Sequence, residues 1–212
     1  MKIYKLLFTA ILLFVFVSVS NSQTKSPKQK LIDGYSRFVS SQMIHPNSGD
    51  VKRTELAEGQ HPFAVIVSCS DSRVPPELIF DQGLGDLFVI RTAGEVVDAI
   101  GEASIEYAVE HLGVKLIVVM GHQKCGAVGA AVKGGKLTPN LDKLVAAIAP
   151  AVKKAKGETG DLLDNAVREN ALMIVNQLKN SKPVLHEFVE KHGLKIVGAY
   201  YNLLDGVVTF LQ

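Results

Sequence analysis

The chain has 212 residues, 47% of them hydrophobic and 21% charged, an ordinary globular balance with enough apolar material for one sizeable core. Its formal net charge is +2, and no lysine- or arginine-rich run occurs, which leaves no electrostatic case for nucleic acid or an anionic membrane as partner.

In chain order, the first feature is a leader. Lys2 and Lys5 precede the apolar run Leu6–Val17, and small and polar residues follow through Ser22. A basic start, a short apolar centre and small residues at Ser20 and Ser22 form the three-part pattern of a secretory signal. The run is too short to span a bilayer comfortably as a permanent helix. Residues 1–22 are therefore predicted to be a cleaved signal and 23–212 the working domain, periplasmic or secreted, with no stable membrane association. Removing the leader takes two lysines and no acid, leaving 21 basic against 21 acidic residues.

Residues 23–31 read as a polar, flexible lead. Ile32, Tyr35, Phe38 and Val39 recur at helical spacing, which predicts an amphipathic arm over Ile32–Met43 that can wrap its own core or a partner. Phe63–Ser68, Leu87–Ile90, Leu116–Met120 and Leu194–Ala199 are short, β-branched runs, three of them almost wholly apolar, as suits strands buried on both faces. Between them Gly101–Leu112, Leu141–Ala155, Asp161–Leu178 and Pro183–His192 carry helical periods, and Val207–Leu211 reads as a final edge strand. This alternation predicts an α/β fold: a central, mostly parallel sheet of four to five strands flanked by helices, with an N-terminal helical arm.

Open sheets of this kind bind ligands at the carboxyl ends of their strands. Three such ends carry chemistry here: Cys69-Ser70-Asp71-Ser72-Arg73, Arg91-Thr92-Ala93-Gly94 and Gly121-His122-Gln123-Lys124-Cys125-Gly126. Cys69, His122 and Cys125 supply two sulfurs and an imidazole, a zinc-ligating set that leaves a fourth position for water. His122 and Cys125 stand three apart at what reads as a helix start, where a thiol's pKa falls. Gly121 and Gly126 would let the backbone come close. Asp71 and Arg73 can pair fork to carboxylate. The competing reading of two cysteines in an exported chain is a disulfide-stapled binding protein without metal. It leaves His122 and the Asp71/Arg73 pair without a purpose.

Taken together, C-S-D-S-R at Cys69–Arg73 and G-H-x-x-C-G at Gly121–Gly126 closely resemble the β-carbonic anhydrases. The likeness runs from about Gln60 to Val128 and more weakly to Tyr200. It implies one zinc per subunit on Cys69, His122 and Cys125, with Asp71 and Arg73 as a catalytic dyad and Asp71 as a fourth ligand in a closed state. Gln60, nine residues before Cys69, falls where the plant-type branch places a substrate-binding glutamine. Phe88 and Tyr107 fall where that branch has an aromatic wall and a tyrosine near the metal, and Ala93 stands where valine is frequent. The resemblance further implies a tight homodimer, with dimers pairing into tetramers in some members, and Gln60, Phe88 and Tyr107 serving a site completed by the neighbouring subunit. The expected reaction is hydration of carbon dioxide to bicarbonate and a proton, by hydroxide formed as zinc lowers the pKa of its water from about 16 towards about 7. Two thiolates donate more charge than imidazoles, so hydration should favour alkaline pH. Relatives that hydrolyse carbon disulfide or carbonyl sulfide share the ligand set.

Overall fold

The computed structural model describes residues 25–211; the predicted leader lies outside them. Strands β1 (Ala64–Cys69), β2 (Leu87–Thr92), β3 (Leu116–His122), β4 (Lys195–Tyr201) and β5 (Val208–Leu211) form one sheet in the order β2-β1-β3-β4-β5. The first four run parallel, and β5 closes the edge antiparallel to β4. β1 and β3 are buried along their whole length, as their Val- and Ile-rich sequences require.

Alternation of side chains divides the core into two layers. Ala64 and Ile66 face one layer, with Leu116, Val118 and Met120; Val65 and Val67 face the other, with Ile117 and Val119. Helices α1 (Pro27–Val39), α3 (Pro76–Ile79), α5 (Gly126–Lys133) and α6 (Pro139–Ala155) cover the first layer, through Leu31, Ile79, Val128 and Ile148. Helices α4 (Ala99–Glu110) and α8 (Val184–Lys191) cover the second, through Ile105 and Leu185. The 19-residue helix α7 (Leu162–Asn180) serves both: Ala166 and Val167 enter the first layer, Ala171 and Ile174 the second.

Two local expectations shift. The first helix starts at Pro27 rather than Ile32, because Ser26 caps it by accepting the Gln29 N–H at 3.2 Å and Pro27 sits at the first position. Residues 27–31, read as a flexible lead, are its opening turns. It stops at Val39 rather than Met43, as Ser40 bonds back to the Ser36 carbonyl at 2.8 Å and Ser41 turns left-handed at φ 57°. The arm wraps its own core, with Leu31 wholly buried. It is pinned there by Arg37, whose Nε donates to Asp81 Oδ2 at 2.5 Å while the Ile44 and His45 N–H groups donate to the same carboxylate. Helix α2 (Asp50–Leu56) buries no residue, so no apolar stripe announced it.

No described helix is long and apolar enough to cross a membrane.

Candidate metal centre

Parallel pairing brings the carboxyl ends of β1, β2 and β3 to one edge, with Cys69 in register with Thr92. Cys69 ends β1, His122 ends β3, and Cys125 caps α5 three residues later. The shared aim of His122 and Cys125 is thus made by a strand-to-helix turn, with Lys124 left-handed at φ 54°, rather than by a helical repeat. The donor atoms of Cys69, His122 and Cys125 all lie within 4.8 Å of one another, and all three residues are buried. Gly121 is needed for close approach, since a Cβ there would sit 2.8 Å from Val167 Cγ1. Gly126 is not, because nothing stands within 4 Å of its Cβ position.

The two sulfurs are 4.0 Å apart and both cysteines are free, so the disulfide reading falls. A hydrogen bond from Cys125 pulls the Cys69 thiol far below its ordinary range, helped by His122 and by the Gly94 N–H, which donates to Cys69 Sγ at 3.3 Å. Cys125 is pushed up by the same bond, by burial and by Glu95. Burial works against charging His122, yet the Cys69 sulfur, Glu95 and Asp71 together raise it. Its Nδ1 faces the Gln123 carbonyl at 3.0 Å, while its Nε2 is buried with no protein partner.

Asp71 and Arg73 pair as expected. Arg73 Nε and Nη2 donate to Asp71 Oδ1 and Oδ2 at 2.9 and 2.7 Å, and the Arg73 N–H adds a third bond at 2.9 Å. The fork holds the Asp71 carboxyl well below the usual carboxylate range. Asp71 Oδ2 stands 3.9 Å from His122 Nε2, beside the three donors but outside their cluster. Arg91, not singled out by role, braces both elements. Its Nε donates to the Cys69 carbonyl at 2.9 Å and its Nη2 to the Asp71 carbonyl at 2.6 Å. An arginine closing the otherwise apolar run Leu87–Ile90 was the available signal.

Behind Cys69, Glu95 is completely buried, and burial pushes its carboxyl up to about 8. Its Oε1 accepts from Asn170 Nδ2 at 2.9 Å. No sequence pattern links residues 75 positions apart, so this pair was missed.

Of the substrate-side residues, Ala93 is exposed beside Gly94 at the rim of the centre. Gln60, Phe88 and Tyr107 do not join it. Gln60 is exposed in a surface cleft with Arg53, Leu56 and Leu84. Phe88 packs with Val65 and Val67 in the layer opposite the one holding Cys69 and Cys125, and its ring centroid lies 6.4 Å from that of Tyr107. Tyr107 is 47% exposed.

A family model described as carbonic anhydrase matches residues 64–208. The chain belongs to the β-carbonic anhydrase family. A carbonic anhydrase of Mycolicibacterium smegmatis is 38% identical over 192 residues, 89% of this chain and 93% of the relative. Carbonic anhydrase 2 of Mycobacterium tuberculosis is 40% identical over 190 residues, 88% and 92% of the two chains. Among solved structures, a tetrameric β-carbonic anhydrase of Sordaria macrospora superposes with TM-score 0.70 at 27% identity, covering 87% of this chain and 94% of its own. The β-carbonic anhydrase CcaA superposes with TM-score 0.69 at 31% identity, covering 87% and 95%.

Family members are zinc enzymes, and this donor set fits zinc. Tetrahedral zinc with sulfur at about 2.3 Å separates two thiolates by about 3.8 Å, close to the 4.0 Å between Cys69 and Cys125. The unpartnered His122 Nε2 is the buried nitrogen such an ion would satisfy.

Proposed function

We propose that this chain hydrates carbon dioxide reversibly to bicarbonate and a proton, with Cys69, His122 and Cys125 holding one zinc ion and Asp71 and Arg73 handling the reacting oxygen. The observation that carries this reading is a buried two-sulfur, one-imidazole cluster with an arginine-clamped carboxylate 3.9 Å from its histidine. Zinc, when bound, supplies a water acidic enough to act as a nucleophile at mild pH. The rest is done by the chain. Asp71, kept ionised by Arg73, can only accept a hydrogen bond, so an O–H at the mouth of the centre points its proton at Asp71 and a lone pair towards the substrate carbon. Arg73 occupies both carboxylate oxygens and keeps Asp71 from swinging into the cluster. Arg91, by gripping the carbonyls of Cys69 and Asp71, holds the dyad and the first sulfur in one frame. Ala93 offers an apolar rim for an uncharged substrate.

Gln60, Phe88 and Tyr107 fit a plant-type site completed across a homodimer. The exposure of Gln60 and Tyr107, and the separation of all three from Cys69 within one chain, support that reading. The tetrameric Sordaria macrospora relative supports pairing of dimers. Residues 1–22, with their basic, apolar and small-residue segments, support export to the periplasm or beyond.

Stopped-flow hydration combined with zinc analysis tests the function. One zinc per chain and fast hydration are expected. Stoichiometric zinc with no hydration, or sulfide release from carbon disulfide in its place, overturns it.

A further inference from the structure

The rear wall of the centre is a turn of residues 93–95 in which two consecutive residues are left-handed, Gly94 at φ 65° and Glu95 at φ 45°. Gly94 suits this conformation, and a Cβ there would meet Ile148 Cδ1 at 2.8 Å. Glu95 does not: a non-glycine residue held in that region is strained and persists only where its surroundings dictate it. Asn170 is what dictates it. From α7, its side-chain amide donates to the Gly94 carbonyl and to Glu95 Oε1, both at 2.9 Å, spending its two hydrogens on one turn. Both Glu95 and Asn170 are wholly buried. What this arrangement delivers is the Gly94 N–H, aimed at Cys69 Sγ from 3.3 Å.

We infer that Asn170 and Glu95 are positioning residues of the metal centre: Asn170 locks the Gly94–Glu95 turn so that its N–H rests on the Cys69 sulfur and limits the charge that sulfur gives to a bound ion. The inference rests on the assignment of Cys69 as a ligand. An N–H on a thiolate withdraws electron density, so the sulfur is a weaker donor and a bound water is more acidic; outer partners of this kind orient and tune first ligands. Glu95 serves by offering Oε1 as an acceptor, a role that needs the oxygen and not a charge.

The test uses the zinc-loaded full chain and three readouts: exchange of the Gly94 amide, zinc release to a chelator, and the pH midpoint of hydration. Asn170→Ala should expose the Gly94 amide, speed zinc release about tenfold or more because Cys69 loses the turn that orients it, and move the midpoint to higher pH because the sulfur gives the ion more charge. Glu95→Leu should do the same, whereas Glu95→Gln, which keeps an acceptor for Asn170, should restore all three. A folded Asn170→Ala protein with unchanged zinc release and midpoint overturns the inference. If Asn170→Ala does not fold, Asn170→Ser and Glu95→Leu are judged by the same criteria. A wild-type chain without zinc, or Cys69→Ser holding zinc as tightly as wild type, would instead sink the ligand assignment itself.

Discussion

Cys69, His122 and Cys125 are at most 4% exposed and share a cluster within one chain, whereas Gln60 lies in solvent and Tyr107 is 47% exposed. The contrast separates two ways of building a site. Cys69 and His122 end adjacent parallel strands and Cys125 follows on the turn into α5, so backbone pairing and one local turn bring the donors together. Gln60 sits on a loop, Phe88 on β2 in the layer opposite the sulfurs and Tyr107 on α4, and one chain leaves all three away from the cluster. The first group is complete before any subunit meets another; the second, on our reading, is not.

The sharpest way to break this contrast is to remove a donor. Cys69→Ser and His122→Ala should each lose zinc and lower hydration by more than about 1000-fold, read by metal analysis and stopped flow. Retained zinc with near-normal rate would mean the cluster is not the centre.

Next in size is the dyad. Asp71→Asn or Arg73→Ala should cost about 100-fold in rate with zinc content unchanged, since neither belongs to the three-donor cluster. A loss of zinc from Arg73→Ala would show that the pair builds the centre rather than working beside it.

Smaller again, Gln60→Ala should cost about tenfold, the worth of one hydrogen bond, and mixing sharpens the comparison. Subunits carrying Cys69→Ser, mixed with subunits carrying Gln60→Ala, should regain activity if Gln60 serves the neighbouring centre, because one site per dimer is then whole. No gain on mixing would place Gln60 in its own chain's site.

The smallest effect concerns stability against pH. Arg73 holds the folded Asp71 carboxyl below its unfolded value, so its stabilisation is full above about pH 4 and is lost as pH falls through the folded value. Arg73 is 50% exposed, and the contribution should stay under about 1 kcal/mol. Chemical denaturation of wild type and Asp71→Asn should therefore differ by a small, constant amount from neutrality to about pH 4 and converge below it. Divergence on acidification would mean that the carboxyl is protonated at neutral pH.

Much of this was legible before any fold was known. The runs Phe63–Ser68 and Leu116–Met120 state their burial in composition, because strands covered on both faces must be apolar throughout. Cys69, Asp71, Arg73, His122 and Cys125 announce themselves by chemistry, since few other roles need those groups at strand ends. Less was legible at α2, which buries nothing, and at α1, whose start depends on a Ser26 cap rather than on periodicity.

Local pattern thus determined the strands, most helices and the identity of the metal donors, because period and residue chemistry act over a few neighbouring positions. Only the tertiary structure decided that the two sulfurs meet 4.0 Å apart, that Arg91 braces two carbonyls, and that Asn170 reaches 76 residues back to fix the turn behind Cys69. Those facts depend on burial and on bonds between groups distant along the chain, and such bonds leave no spacing to read until packing has brought their partners together.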